Sequence, residues 1–255
     1  MSNKNSENTN MLNNRLDFNA KYSSADFLEW LFGILGGLEF DSVLDAGCGS
    51  GKQTFWFSDR LKGGGQVCSF DISEKSISDI NSKKLANVEA AVGSFDDMAG
   101  ALSSFNTKSF DLVHSSYAMY YAKNPLATLR SLLSALKDDG KMAICAPYAV
   151  NSFLDFLSQF QKIGQLNWDC MEFINDTVLI FAHNNFNDVK THIFVNNMQV
   201  TELDDLMQNY KSSTFYDASA EKNIVSAAKK IIDENGFFHI QKKSKIVVAG
   251  NKILR

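Results

Sequence analysis

Cysteine is sparse in this chain and shows no pairing pattern. Cys48, Cys68, Cys145 and Cys170 are four residues in 255, with no C-x-x-C among them. That excludes a disulfide framework and the usual zinc spacings. Three of the four fall in or beside expected strands, where cysteine serves as a small buried hydrophobe. No clustered His, Cys or carboxylate spacing suggests any other metal. No apolar run is long enough to span a bilayer, and the Asn-rich N-terminus lacks the apolar stretch of a signal peptide. A cytoplasmic, soluble protein is expected. Excess positive charge is also missing: the net charge is −4, which tilts against a nucleic-acid substrate because phosphates need a basic footprint. Only two prolines occur, against twenty phenylalanines, some of which are candidates for lining a pocket. The composition, 45% hydrophobic and 21% charged, is that of an ordinary globular protein long enough for a substantial core.

The chain is organised around Val43-Leu-Asp-Ala-Gly-Cys-Gly-Ser-Gly51. Two apolar residues run into Asp45 and then into three glycines at alternate positions. This reads as a buried strand, a tight turn and a helix opening near Lys52. Gly47, Gly49 and Gly51 can take positive φ and let a ligand lie against the backbone, and the helix start adds free N–H groups. Twenty residues past Gly51, the run Gln66 to Phe70 ends in Asp71, a carboxylate able to accept both hydroxyls of a ribose. The spacing is G-x-G-x-G, whereas a dinucleotide site uses G-x-G-x-x-G. An acid at position 45 repels a pyrophosphate but suits an ammonium or sulfonium.

Val43 to Gly51 closely resembles the first motif of the class I S-adenosylmethionine-dependent methyltransferases, with Asp71 as the matching ribose acid. The resemblance implies a doubly wound, mostly parallel, seven-stranded Rossmann-like α/β sheet with an antiparallel C-terminal hairpin. It implies S-adenosyl-L-methionine as cofactor, with Asp45 and the loop Gly47, Cys48, Gly49 and Gly51 at its methionine end and Asp71 on its ribose. Ile72 and Phe95 would meet the adenine. Related sequences have Gly-Asp where this chain has Gly93-Ser94, so the adenine amino contact passes to Ser94, to the Phe95 backbone or to Asp96. Asp111 to Ser116 resembles the fourth motif, and His114, Ser115 and Ser116 would flank the sulfonium.

In chain order, residues 1 to about 14 are expected to be disordered, and residues 25–38 an amphipathic helix capped by Ser23 or Ser24. Residues 1–40 thus form a tail and cap helix. The segment 15–22 often folds over the cofactor in the family, which makes Tyr22 a cofactor and substrate candidate or a packing residue. Lys62-Gly63-Gly64-Gly65 reads as a turn, 73–83 as a helix and 88–92 as the third strand. The fourth strand is expected over 110–113. After Asn124-Pro125, a helix should bury Leu126, Leu129, Leu132, Leu133 and Leu136. A fifth strand covers 141–146 and ends at Pro147. Segments 171–181 and 189–200 read as extended. Phe237 to Ile240 and Ile246 to Ala249 read as two strands joined by a lysine-rich turn. Residues 149–212 resemble the inserted substrate lid of small-molecule methyltransferases within a single domain of 1–255, or else a homodimer interface.

His114 is the candidate general base, since an imidazole titrates near neutrality; a packed strand-end histidine is the alternative. Tyr117 and Tyr121 are the other catalytic candidates. Tyr22, Tyr117, Tyr120, Tyr121 and Tyr148 are the substrate-binding ones, by orienting a hydroxyl or boxing a cation. The expected activity is methyl transfer to an O or N atom of a small molecule in specialised metabolism, with no metal, membrane or nucleic acid. The rivals are an RNA or protein methyltransferase and a non-catalytic or repurposed S-adenosylmethionine binder.

Overall fold

A computed structural model describes residues 9–61 and 64–253. The elements, in order, are α1 (Thr9–Tyr22), α2 (Phe27–Leu35), β1 (Ser42–Ala46), α3 (Lys52–Arg60), β2 (Gln66–Asp71), α4 (Glu74–Asn81), β3 (Val88–Val92), α5 (Met98–Ser103) and β4 (Phe110–Ser116). A 3-10 turn (Met119–Tyr121) leads to α6 (Pro125–Ala135), β5 (Leu136–Asn151) and α7 (Ser152–Leu157). Then come α8 (Gln165–Phe173), a π-helical turn (Ile174–Leu179), α9 (Ile180–Asn185), β6 (Phe186–Val200), α10 (Leu203–Ser212), α11 (Glu221–Asn235) and β7 (Phe238–Lys252). The sheet has seven strands in the order β3-β2-β1-β4-β5-β7-β6. Strands β1 to β5 pair in parallel, and the C-terminal strands are antiparallel.

The order follows from burial. All five residues of β1 are buried, as a strand with parallel neighbours on both sides requires. Short crossovers place helices between successive strands, and α4, α5 and α6 are each started by a local cap. Ser73 accepts from the Ser76 amide at 3.3 Å, and Asn124 accepts from the Ala127 amide at 3.1 Å with Pro125 at the first helical position. Helix α6 buries Thr128, Leu129, Leu132 and Ala135. Leu126, expected in that stripe, is 46% exposed.

The chain divides into two compact units. Among the described residues, one comprises 32–61, 64–146, 172–192 and 245–253 and carries the glycine loop. The other comprises 9–31, 147–171 and 193–244. Its core includes Phe153, Phe156, Leu157, Tyr210, Ile224 and Phe238, with Phe156 and Phe238 edge to face at 4.8 Å.

Several local expectations are corrected. Residues 9–22, read in part as disordered, form α1; residues 1–8 lie outside the described residues, as do Lys62 and Gly63 of the expected turn. Asp26, not Ser23 or Ser24, caps α2, accepting from the Leu28 and Glu29 amides at 2.7 and 3.0 Å. Segment 171–181 is helical: Met171, Ile174, Val178 and Phe181 recur every three or four residues and are all buried. Strand β5 runs on through Pro147. Residues 238–252 form the one strand β7, its lysine-rich middle included, so the antiparallel C-terminal strands are β6 and β7, separated by α10 and α11. Strand β6 lies inside the 149–212 segment and belongs to the sheet.

Candidate active site

Beyond β1 the chain turns sharply. Gly47, Gly49 and Gly51 have φ of +75°, +51° and +79°, the left-handed region that costs a side-chain-bearing residue about 1–2 kcal/mol. The Gly47 and Cys48 amides both donate to the Phe70 carbonyl, at 2.8 and 3.0 Å, and the Gly51 amide donates to the Cys48 carbonyl at 2.9 Å. These bonds tie the loop to the end of β2. A Cβ on Gly47 would lie 2.4 Å from Ala118 Cβ and 3.0 Å from Phe95 Cζ. The loop, the turn after β3 and the turn after β4 therefore meet at one point.

Asp71 ends β2 and is half-buried. Its Oδ2 accepts from the Gly49 amide at 2.8 Å and its Oδ1 from the Ser73 amide at 2.9 Å. Burial pushes its pKa above the ordinary value, against the pull of the Ser73 and Gly49 amides. Each carboxylate oxygen retains acceptor capacity after these bonds. Ile72, 57% exposed, follows it in sequence, and Val92, 50% exposed, stands beside it in register on β3. An acid flanked by two uncovered aliphatic groups offers a polar grip and an apolar face together. Phe95 lies edge to face with Phe70 at 5.4 Å, and its carbonyl accepts from Thr128 Oγ1 at 3.1 Å. Ser94 Oγ accepts from the Asp96 amide at 3.1 Å, while Asp96 Oδ1 accepts from the Lys123 amide at 2.8 Å. Asp96 thus anchors the chain after β4.

Strand β4 is longer than expected, so His114 lies inside it and is fully buried. Its Nδ1 donates to Asp45 Oδ1 at 2.9 Å, and Thr54 Oγ1 donates to Asp45 Oδ2 at 2.6 Å. Asp45 is itself only 2% exposed. Past the strand, Tyr117 has φ +57° and its amide donates to the Cys145 carbonyl at 2.9 Å. Tyr117 and Tyr121 are 41% and 42% exposed. Tyr120 packs beside Tyr121 at 4.6 Å and edge to face with Phe173 at 6.0 Å.

A family described as "Methyltransferase domain" matches residues 39–236, more than three quarters of the chain. The chain belongs to the class I S-adenosylmethionine-dependent methyltransferases. Among solved structures, a putative methyltransferase from Bacillus halodurans superposes with a TM-score of 0.62 at 16% identity, covering 90% of this chain and 100% of that one. The YcgJ protein of Bacillus subtilis gives 0.59 at 17%, covering 89% and 98%. The plantazolicin methyltransferase BamL, solved with a triazolic desmethylPZN analogue and S-adenosylhomocysteine, gives 0.50 at 18%, covering 89% and 82%. No curated protein matches.

S-adenosylmethionine is the cofactor of this methyltransferase, and the strand tips fit it: a glycine loop, a half-buried acid with spare acceptor capacity, and exposed Ile72 and Val92 beside it. Four residues expected at the cofactor are buried. Asp45 is turned inward onto Thr54 and His114. Cys48 is 5% exposed and packs with Ile77 and Ile80 beneath the loop, burial holding its thiol well above the usual range. His114 and Ser115, 0% and 1% exposed, are interior strand residues, as a parallel strand covered on both faces requires. The methyltransferase's Tyr22 and Tyr148 belong to the other compact unit, where Tyr22 donates to Asp205 Oδ2 at 2.5 Å. Thr54, Ala118 and Lys123 were missed by sequence reasoning. Thr54 had a signal, as a polar residue one turn before Phe57 on the inner face of α3.

Proposed function

We propose that this methyltransferase moves a methyl group from S-adenosylmethionine to an O or N atom of a small molecule. The observation that carries the reading is the aromatic cluster at the carboxyl end of β4. Tyr117 and Tyr121 expose two-fifths of their surface beside a loop packed on Gly47, where ligands of parallel α/β sheets lie. Phe173, itself buried, backs Tyr120 from within the same unit. The net charge of −4 supports a small acceptor over a polyanion. A setting in specialised metabolism has weaker support, a fold shared with BamL.

Bound cofactor supplies a methyl already activated by the sulfonium. The chain's own residues then have to hold the two reactants in line and exclude water, which can be worth roughly 7–11 kcal/mol. Gly47 and Gly49 let the methionine end lie against the backbone, Asp71 takes the ribose hydroxyls, and Ile72 with Val92 and Phe95 take the adenine. Tyr117 and Tyr121 orient the acceptor with their hydroxyls and ring faces. His114 is buried on Asp45 and takes no proton from the acceptor. The acceptor is therefore a group nucleophilic without strong base assistance, an amine or an acidic phenol.

Calorimetric titration with S-adenosylmethionine and S-adenosylhomocysteine, with NAD as control, tests the first step. A methyl-transfer screen of amines, phenols and carboxylates follows. Turnover of an amine or phenol, cut at least tenfold by Tyr121→Ala, is expected. Transfer to RNA or protein, and to no small acceptor, would overturn the reading.

A further inference from the structure

Asp45 stands at the head of the glycine loop, yet it is buried and both of its oxygens are occupied. Its partners come from the two elements that bracket the site. Thr54 lies on α3, the helix that the loop opens. His114 lies on β4, directly opposite Asp45 in the parallel register, and β4 leads into the turn whose Ala118 rests on Gly47. One carboxylate thus fixes three segments: the strand before the loop, the helix after it and the strand feeding the post-β4 turn. Ser69 stands opposite Asp45 on the other side, completing a polar row across β2, β1 and β4 beneath the loop. His114 Nε2 is buried there with no hydrogen-bond partner among the described residues.

We propose that His114 and Thr54 are positioning residues for cofactor binding, acting through the donors they give Asp45. The Nδ1–H and Oγ–H clamp the carboxylate from beneath, and the carboxylate holds the glycine loop and the post-β4 turn in the geometry that S-adenosylmethionine needs. Neither residue touches the cofactor. The imidazole's contribution is the hydrogen on Nδ1, not acid–base exchange at Nε2. The proposal rests on S-adenosylmethionine being the cofactor, and on nothing about the acceptor.

Two pairs of variants separate the donor from the bulk of the side chain. Thr54→Val and His114→Leu remove the donors; Thr54→Ser and His114→Asn keep one aimed at Asp45. Calorimetry with S-adenosylmethionine, alongside thermal melting, should give dissociation constants raised at least tenfold for the first pair and within about threefold of wild type for the second. The donor-removing variants should also melt lower, because a buried carboxylate loses a hydrogen bond, so affinities are compared well below every melting temperature, where each variant is folded. Wild-type affinity in Thr54→Val and His114→Leu would overturn the proposal. So would a loss in the donor-keeping variants as large as in the donor-removing ones, since shape rather than the hydrogen bond would then matter. If His114→Leu does not fold, the isosteric Thr54 pair decides by the same criteria. A wild-type protein that binds no S-adenosylmethionine would overturn the cofactor assignment itself, and this proposal with it.

Discussion

Replacing Asp71 with alanine tests the cofactor reading most directly. The carboxylate accepts from the Gly49 and Ser73 amides and, with cofactor bound, would accept from two ribose hydroxyls. Hydrogen bonds to a charged group contribute about 1.5–3 kcal/mol each. Loss of the two ribose bonds alone should cost about 3 kcal/mol or more, roughly a hundredfold rise in the dissociation constant of S-adenosylmethionine at 1.4 kcal/mol per tenfold. Release of the Gly49 amide loosens the loop and adds to the loss. The assay is calorimetric titration at pH 7, repeated with a ligand lacking the ribose hydroxyls; for that ligand the wild type and the variant should differ far less. Proton linkage gives a second readout. The Asp71 pKa is raised by burial, against the Ser73 and Gly49 amides. The native state therefore holds this proton more tightly than the unfolded chain does. This group's stability contribution is full below the ordinary value of 3.8 and is lost as pH rises through the raised one. Cofactor binding runs oppositely, because only the ionised acid accepts both hydroxyls. Affinity should fall as pH drops through the raised pKa, and Asp71→Asn should lack that dependence. Unchanged affinity in Asp71→Ala would refute the ribose assignment.

Three further outcomes are expected. Gly47→Ala puts a Cβ 2.4 Å from Ala118 Cβ at φ +75°; it should lower the melting temperature and abolish S-adenosylmethionine binding, and a variant that binds normally would contradict the close approach. Asp111 accepts from the Asp41 and Ser42 amides and pairs with Lys137 at 2.8 Å. Burial opposes its ionisation, but Lys137 and Ser42 outweigh it and hold the pKa below the ordinary value. That contribution is present above the unfolded value and lost as pH falls through the folded one, so Asp111→Asn should cost about 1–2 kcal/mol at pH 7 in urea unfolding and little once the pH lies below the folded pKa. Leu129→Ala, at a fully buried position in α6, should cost about 2–5 kcal/mol in the same assay.

Features that depend on a few neighbouring residues were legible in the sequence. The three alternating glycines permit the positive φ that a tight turn needs, Ser73 and Asn124-Pro125 start helices by bonds within one turn, and an apolar run ending in Asp71 puts that acid at a strand tip. The alternation of such runs with 3.6-residue stripes fixed the parallel part of the sheet. It did not fix the C-terminal third. The polar lysines between Phe238 and Val247 look like a turn until a neighbouring strand pairs with them, and the apolar spacing of 171–181 suits a strand as well as a helix over so short a window.

By itself, then, the sequence determined the loop, the acid at the tip of β2 and the strand-helix rhythm, because each is a short-range demand of backbone conformation or hydrophobic period. Tertiary structure alone decided what Asp45 does. His114 is 69 residues away, and only the parallel register of β1 and β4 sets the imidazole against the carboxylate and buries both. Whether an acid faces a ligand or the interior depends on what packs over it, and packing brings together residues distant along the chain.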